Sequence, residues 1–309
     1  MSTPNTHSKK YSPSKSSTWL VCPLSTMFND GSNNETNEAS EFGSECHLLG
    51  ETLIRKSLNS KDFEEELVEP SELIKTFVHY DEEMEDLANQ YANFVIANVS
   101  IEEKKGNKPF VILEQQLEMD FDSDAKGTLD CGIISNGTLT VIDLKTGRLK
   151  VEAYNQERGI FNTQLGIYAL YAYKTFKDLF PIERVKLVIF QPRLNSVSDY
   201  EMELQELLDF ETNILIPAVA KTKEAVLEAH VNSGCQYCAG KAICAERNKA
   251  LEKVDSKKPI QTLSAEEINK ILPFLDEIIS YCESLKEFAL KKARNGFKWE
   301  GLKLVHDNA

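Results

Sequence analysis

The sequence predicts an α/β fold with the element order α-β-β-β-α-β, and three observations lead to this fold class. Apolar residues recur at helical spacing in two early segments and again in mid-chain. Short runs rich in branched and aromatic residues lie between the helical segments. An Asn-Gly pair separates two of these runs, as in a tight hairpin. In chain order the predicted elements are helices at 41–58 and 78–99, strands at 109–119, 128–134 and 138–144, a helix at 161–176 and a strand at 184–191.

The two ends of the chain are predicted to lie outside the main domain. Residues 1–17 are rich in Ser, Lys, Thr and Asn, which predicts a disordered tail. Residues 18–250 form the main domain, with a polar loop at 29–40. Residues 251–309 form a helical C-terminal extension. Further elements are predicted as a helix at 201–229, two helices from Ser264 and across Pro273 to Ala293, and a strand at 301–305 that the chain end cuts short.

The composition is that of a folded, acidic protein. Of the 309 residues, 41% are apolar and 27% are charged, which is close to the globular average. The 49 acidic and 35 basic residues give a net charge of −14, so the molecule as a whole should repel nucleic acid and anionic membranes. Segment 126–193 is the exception, with ten basic and six acidic residues. Any contact with DNA phosphates is therefore expected there.

The sequence offers no sign of a membrane or an export route. No stretch reaches the roughly 18 to 20 consecutive apolar residues that a membrane span needs, and the first 17 residues lack the apolar segment of a signal peptide. We therefore expect a soluble, cytoplasmic protein without a membrane partner. In a reducing compartment, seven cysteines are better explained by metal binding than by disulfides.

The predicted hairpin places two carboxylates opposite each other. Asn136-Gly137 suits a two-residue type I′ turn, because both central positions need a positive φ. Counting outward from this turn puts Asp130 opposite Asp143, and strand alternation puts Lys145 on the same face. Like charges in opposed positions destabilise a sheet, so we expect a positive group between them.

These three side chains suit metal-assisted phosphodiester hydrolysis. Paired carboxylates bind hard cations such as Mg²⁺ or Mn²⁺. A lysine beside the cation can orient or deprotonate the attacking water and neutralise charge on the phosphoryl group. The alternative is an exposed hairpin on which Asp130, Asp143 and Lys145 are merely solvated.

Several ordered motifs resemble those of the RecB-like branch of the PD-(D/E)XK nucleases. The G-x-x-D, (D/E)-x-K and Q-x-x-x-Y motifs of that branch are matched, in order, by 127–130 (GTLD), 143–145 (DLK) and 164–168 (QLGIY). A phage- and prophage-encoded group of the branch is also similar at 19–25 (WLVCPLS), 43–47 (GSECH) and 191–194 (QPRL). The likeness runs from about residue 16 to the end. It implies a restriction-endonuclease-like core, with a mixed sheet flanked by helices, and makes 18–250 a nuclease domain.

The resemblance also implies a role for individual residues. It makes Lys145 the catalytic lysine, and it makes Gln164 and Tyr168 groups that support the site and contact DNA. The implied metal ligands are His47, Asp130, Asp143 and the backbone carbonyl of Leu144. Without the resemblance, a histidine on an amphipathic helix would be interpreted as a packing or capping residue, and Tyr168 as ordinary packing. Glu114, Gln116 and Glu118 alternate on the preceding strand, and we expect them to form a solvated face; the alternative is that one of them approaches the metal from that strand.

The spacing of three cysteines predicts a second metal site. Cys235, Cys238 and Cys244 form a compact thiolate triplet that needs one more ligand. The resemblance supplies it as Cys22, from which related AddB-like nucleases begin a 4Fe–4S cluster, and it implies a structural role for that cluster. Zn²⁺ and free thiols are the alternatives. The remaining cysteines, Cys46, Cys131 and Cys282, are interpreted as ordinary buried residues.

The function these observations imply is a Mg²⁺- or Mn²⁺-dependent deoxyribonuclease. The resemblance favours an exonuclease of phage recombination or DNA processing that acts on double- or single-stranded DNA ends in a bacterial or phage-infected cell, with a phage recombination protein as a candidate partner. One alternative is a catalytically idle nucleic-acid-binding or assembly module on the same fold. Another is a site-specific endonuclease, although the sequence has no helix-turn-helix or zinc finger to read bases.

Overall fold

The structure is a computed structural model in which two compact units are distinguished. It describes residues 10–30, 38–58, 68–123, 125–232, 234–241, 243–249, 259–272 and 275–302. The first unit comprises Met1–Ser16 and Asn33–Pro217, and the second comprises Ser17–Ser32 and Ala218–Ala309. The predicted nuclease domain, 18–250, therefore takes residues from both units.

The first unit is built on a five-stranded mixed sheet. The strand order is β1-β2-β3-β6-β7, and β3 and β6 run parallel while the other neighbours are antiparallel. Strands β4 and β5 form a separate two-stranded sheet. The strands are β1 Phe110–Glu118, β2 Lys126–Ser135, β3 Thr138–Leu144, β4 Tyr154–Asn155, β5 Ile160–Phe161, β6 Arg184–Gln191 and β7 Ser196–Glu203.

Helices cover the sheet on both faces. Ile142, Val188 and Phe190 belong to an apolar cluster shared with α3 and α5. Val141 and Ile189, which alternate with them, are also buried, and α6 packs against the sheet. The helices are α1 Ser16–Trp19, α2 Ser25–Asp30, α3 Glu38–Leu58, α4 Pro70–Leu73, α5 Glu82–Lys104, α6 Thr163–Phe176, α7 Leu204–Phe210, α8 Ile216–Lys221, α9 Ala245–Lys249, α10 Ala265–Ile271 and α11 Leu275–Arg294. The prediction of an α/β fold with a mixed sheet flanked by helices is confirmed.

The hairpin between β2 and β3 has the predicted turn and register. Asn136 and Gly137 have φ angles of +46° and +76°, as a type I′ turn requires. Ser135 pairs with Thr138, and Cys131 pairs with Ile142. The same register continued by one residue sets Asp130 opposite Asp143.

Strand β7 corrects the predicted helix at 201–229. Ser196–Glu203 pairs with β6 along its whole length, and helical structure begins only at Leu204 and ends at Lys221. This strand lies at the edge of the sheet and buries only Met202. Its apolar alternation is therefore weak, and pairing with β6 decides its conformation.

The chain ends also differ from the prediction. Residues 10–17 are not a disordered tail: they include a 3₁₀ turn at Pro13–Lys15 and the start of α1. Tyr11 is fully buried with its ring 5.3 Å, centroid to centroid, from that of Phe121, a distant contact that local composition does not reveal. Residues 1–9 and 303–309 lie outside the described residues, so most of the predicted strand at 301–305 does too, as do residues 31–37 of the predicted loop. Among the described residues, no helix has the length and apolar character to span a membrane.

Candidate metal centre

Three adjacent strands bring three carboxylates into one row. The hairpin register sets Asp130 on β2 opposite Asp143 on β3. On the other side, the pairs Leu113–Cys131 and Gln115–Leu129 flank Glu114 and set it opposite Asp130. Glu114 has a φ of +46°, a left-handed conformation that non-glycine residues adopt at an energetic cost. The row therefore combines three acidic side chains with a strained backbone position.

Helix α3 brings His47 to this row. Its Nε2 lies 3.1 Å from the carbonyl oxygen of Leu144, while Nδ1 lies 3.3 Å from Oδ2 of Asp130 and 4.0 Å from Oε1 of Glu114. If the Nε2 hydrogen is assigned to the carbonyl, Nδ1 presents its lone pair to the carboxylates. A lone pair facing carboxylate oxygens is unfavourable unless a cation or proton lies between them.

These contacts form a possible metal-binding triad. His47, Glu114 and Asp130 can each offer one ligand atom so that all three atoms lie within 4.8 Å of one another, and no other group of three potential ligands among the described residues does so. A histidine nitrogen with two carboxylate oxygens suits a divalent cation such as Mn²⁺. The predicted ligand Asp143 is adjacent but outside this triad, and the carbonyl of Leu144 is in contact with His47.

Asp143 faces the predicted catalytic lysine. Its side chain is 3% exposed, and Oδ2 lies 2.9 Å from Nζ of Lys145. Gln164 links the pair, since its Nε2 donates to Oδ1 of Asp143 at 2.9 Å and its Oε1 accepts from Nζ of Lys145 at 3.0 Å. Asn162 caps α6 by accepting from the backbone N–H of Gln164. This cap fixes the position of the residue whose side-chain amide links Asp143 and Lys145. The structure therefore brings the predicted Asp143, Lys145 and Gln164 together.

Tyr168 lies behind this network. Its side chain is buried, and a Cβ at Gly127 would come within 2.9 Å of its ring. Burial raises the pKa of Tyr168, and the charges of Asp130 and Asp143 raise it further, while a hydrogen bond with Gln164 lowers it. The ring therefore packs beneath the site and supports Gln164.

Burial and mutual repulsion disfavour the ionised forms of two carboxyl groups in the row. Burial raises the pKa of Glu114, and the charge of Asp130 raises it further. Burial also raises the pKa of Asp130, although His47 opposes the shift. For Lys145, burial favours the neutral amine, but attraction to Asp143 and Asp130 prevails and raises the pKa. The lysine stays cationic, and the row favours binding of a further positive charge.

The sequence did not single out Glu114 from its two neighbours on the strand. A solvated face was expected for this strand, whereas the Glu114 side chain is only 22% exposed and faces His47. The connection from β1 to β2 is not a two-residue turn, so the register between them could not be counted from the sequence. Strand alternation assigns Glu114, Gln116 and Glu118 to one face of β1. The positive φ of Glu114 is a feature that the other two residues do not share, and the sequence does not reveal it.

The cysteine cluster lies in the second unit. The four predicted ligands line one cavity together with His230 and Lys241. Backbone N–H groups donate to two of the sulfurs, from His230 to Cys22 at 3.4 Å and from Asn232 to Cys235 at 3.3 Å. Cys22 and Cys235 are buried, and none of the seven cysteines forms a disulfide. The predicted ligands that share the cavity are Cys22, Cys235, Cys238 and Cys244.

The other three cysteines are separate from this cavity. Cys46 and Cys131 are fully buried in the apolar cluster of the first unit, as predicted. Burial raises the pKa of the Cys46 thiol to about 12, so it stays protonated and inert. Cys282 on α11 is exposed, which corrects its interpretation as a buried residue.

Residues 7–309 match the family described as "Protein of unknown function (DUF2800)". Among solved structures, the one titled "Crystal structure of SSO0001" is 14% identical in sequence, with a TM-score of 0.27. The match covers 66% of this chain and 94% of that chain. A likeness at that TM-score carries no argument about fold or function.

Proposed function

We propose that this chain, which belongs to the DUF2800 family of proteins of unknown function, is a metal-dependent DNA exonuclease that hydrolyses phosphodiester bonds. One observation carries the proposal. A histidine and two carboxylates offer ligand atoms that lie within 4.8 Å of one another, beside a third carboxylate that is paired with a partly buried lysine. This combination suits metal-assisted hydrolysis of a phosphate ester.

The residues of the row divide into ligands and a charge-neutralising group. His47, Glu114 and Asp130 would hold a Mg²⁺ or Mn²⁺ ion, with Asp143 adjacent. A bound divalent ion polarises a phosphoryl oxygen and lowers the pKa of a bound water. Lys145 is cationic and is held 2.9 Å from Asp143, so its ammonium can orient the attacking water and neutralise charge that develops on the phosphoryl group.

The DNA substrate is proposed from the local charge around this row. The loop that follows Lys145 exposes Arg148 and Lys150, in the segment where basic residues outnumber acidic ones. Phosphate contacts of this kind supply affinity without base specificity. The exonuclease assignment, the preference for free ends and a phage recombination partner rest on the resemblance of the motifs.

The cysteine cavity offers four thiol side chains, a donor set that suits a 4Fe–4S cluster and also a tetrahedral zinc ion. The resemblance of the motifs favours the cluster. The N–H groups that point at two of the sulfurs suit thiolate ligands. We assign Cys22, Cys235, Cys238 and Cys244 as its ligands, with a structural role.

Nuclease assays on anaerobically purified protein test the proposed activity. End-labelled linear duplex, single-stranded and covalently closed circular DNA would be incubated with Mg²⁺ or Mn²⁺. We expect hydrolysis of linear DNA only, lost in Lys145→Ala and retained in the matched control Lys56→Ala on the distant end of α3. Undiminished cleavage by Lys145→Ala would contradict the mechanism. Rapid cutting of closed circles would favour an endonuclease, and binding without cleavage an idle DNA-binding module.

A further inference from the structure

An arginine on α3 contacts the backbone at the strained residue of the carboxylate row. Nη2 of Arg55 donates to the carbonyl oxygen of Leu113 at 3.4 Å. That carbonyl belongs to the peptide group that joins Leu113 to Glu114, and Glu114 is the residue with a φ of +46°. Because peptide groups are planar, φ sets how this group is oriented relative to the rest of Glu114. Arg55 therefore holds the peptide group on which the unusual conformation of Glu114 depends.

A carboxylate on the same helix holds the arginine in place. Nε of Arg55 donates to Oε1 of Glu51 at 2.7 Å, and Nη2 lies 2.7 Å from the same oxygen. The side chains of Arg55 and Glu51 are 24% and 15% exposed, so the pair is partly shielded from water. Two nitrogens of one planar guanidinium thus face a single carboxylate oxygen, which fixes the direction of the whole group.

The course of α3 explains how one helix reaches two strands of the row. His47 contacts the carbonyl of Leu144 at the end of β3, and Arg55 contacts Leu113 on β1. Eight residues of helix span about 12 Å, and β3 and β1 are two strand spacings, or roughly 10 Å, apart. His47, Glu51 and Arg55 follow one another at intervals of four residues, so they lie along one side of α3. One stripe of the helix therefore supplies both a candidate ligand and a backbone contact.

The left-handed conformation of Glu114 needs such a contact. A non-glycine residue keeps this conformation only where its surroundings hold it, and residues of this kind cluster at functional sites. The guanidinium also acts on the carboxyl group: burial raises the pKa of Glu114 and the charges of Asp130 and Glu51 raise it further, whereas the charge of Arg55 lowers it. Arg55 thus favours both the conformation and the ionised form that a metal ligand requires.

We propose that Arg55 is a positioning residue of the metal centre, which holds Glu114 in its left-handed conformation so that the carboxylate stands beside His47 and Asp130 as a cation ligand. This inference rests on the proposed function, because it needs the centre to bind a cation. Arg55 acts through the backbone of Glu114 and would not itself touch the ion. Groups that orient metal ligands typically change metal affinity by about 10- to 100-fold.

Arg55→Met tests the proposal by the sign of its effect. The change removes a positive charge near a cation site, so electrostatics alone would make Mn²⁺ bind more tightly, whereas loss of positioning makes it bind more weakly. We expect the Kd of the full chain for Mn²⁺, measured from the electron paramagnetic resonance signal of free Mn²⁺ well below the melting temperature, to rise by about 10-fold. In a Glu114→Gln background, where the ligand charge is already lost, the same change should raise Kd by a smaller factor.

A second arginine–glutamate pair provides the matched control. Nη1 of Arg184 lies 3.8 Å from Oε1 of Glu201. Arg184 begins β6, whereas Asp143 of the row pairs with Ile189, further along that strand. Arg184→Met therefore breaks an ion pair away from the row and should leave the Kd for Mn²⁺ at the value of the parent.

Arg55→Lys keeps the charge and decides the question if Arg55→Met fails to fold. A lysine ammonium lacks the planar fork that serves both Glu51 and the carbonyl of Leu113, so positioning by Arg55 predicts weaker Mn²⁺ binding in this variant too. Binding as tight as that of the parent would show that charge alone suffices, which overturns the inference.

The remaining outcomes separate this inference from the proposed function. If the parent binds Mn²⁺, Asp130→Asn abolishes binding and Arg55→Met binds as tightly as the parent or more tightly, the role of Arg55 is overturned while the metal centre stands. An equal rise in Kd with Glu114 and with Gln at position 114 would show that Arg55 does not act through this residue, and this also overturns the inference. Absence of Mn²⁺ binding by the parent would overturn both.

Discussion

At the scale of single residues, the candidate site depends on Gln164 as much as on the charged groups. Its amide donates to Asp143 and accepts from Lys145, so one planar group sets the orientation of both. Gln164 lies in the first turn of α6, where Asn162 caps the helix. A short polar residue before an apolar run is therefore part of how the site is positioned.

Replacing Gln164 should slow cleavage and have little effect on the stability of the fold. In Gln164→Ala, Asp143 and Lys145 lose their common orienting partner, and we expect single-turnover cleavage of linear DNA to slow by about 10- to 100-fold. The control is Gln205→Ala on α7, where the exposed amide donates to Asp209 at 2.8 Å; its rate should match the parent. Equal rates for parent and Gln164→Ala would contradict this role.

The carboxylate row predicts an unusual dependence of stability on pH. Glu114 and Asp130 have raised pKa values in the folded state, so the folded protein binds protons more tightly than the unfolded chain. Their contribution to stability is complete below the unfolded carboxyl pKa of about 4 and is lost as pH rises through the folded-state values. The melting temperature in EDTA should fall as pH rises over this window.

Cations and a charge-removing variant provide the controls for this pH dependence. Mn²⁺ should restore the melting temperature most strongly at the higher pH, where the row is fully ionised. Asp130→Asn removes one of the charges and should flatten the profile in EDTA. A parent profile that rises with pH over this window, or one that Asp130→Asn leaves unchanged, would show that the row does not carry the predicted repulsion.

At the scale of elements, the end of β6 holds the loop that follows Lys145. Gln191 is fully buried. Its Nε2 donates to the carbonyl of Leu149 at 3.0 Å, and its Oε1 accepts from the N–H of Val151 at 2.7 Å. Strand β6 also supports Lys145 directly, because the N–H of Lys145 donates to the carbonyl of Phe190. One strand end therefore anchors both the lysine and the basic loop.

Gln191→Met should destabilise the first unit and weaken DNA binding. Methionine conserves most of the volume, but the N–H of Val151 and the carbonyl of Leu149 lose their partner, which costs about 1–3 kcal/mol when the groups stay buried. Urea unfolding measures this loss, and KM for linear DNA should rise because the loop carries Arg148 and Lys150. Gln116→Met on the exposed part of β1 is the control. Unchanged stability and KM in Gln191→Met would refute the anchoring role.

At the scale of the whole molecule, the second unit is assembled from two segments far apart in sequence. Cys22 lies in the early segment, while Cys235, Cys238 and Cys244 lie in the late one. A group bound by all four would join these segments and close a very long loop. By the chain-entropy model of disulfides, closing such a loop is worth about 4–5 kcal/mol.

Loss of one ligand should therefore affect the whole second unit. Cys235→Ser is expected to give colourless, aggregation-prone protein, whereas Cys282→Ser, with its exposed thiol, should stay brown and stable. Iron, sulfide and zinc analysis of anaerobic protein identifies the group. If the analysis finds one zinc ion and no iron, the four cysteines form a zinc site and the cluster assignment is wrong. If it finds neither metal and Cys235→Ser is as stable as the parent, the four-cysteine site itself is refuted.

The sequence by itself determined the features that depend on local geometry. Asn136-Gly137 specifies a turn of defined length, so the opposition of Asp130 and Asp143 follows from counting, and amphipathic periods located the main helices. Tertiary structure decided the rest. Glu114 reaches His47 only through a register and a backbone conformation that no local pattern encodes, and β7 is a strand because β6 offers its edge. Tyr11 is placed by its contact with Phe121, which is distant in sequence and whose energy arises only when the packed core excludes water.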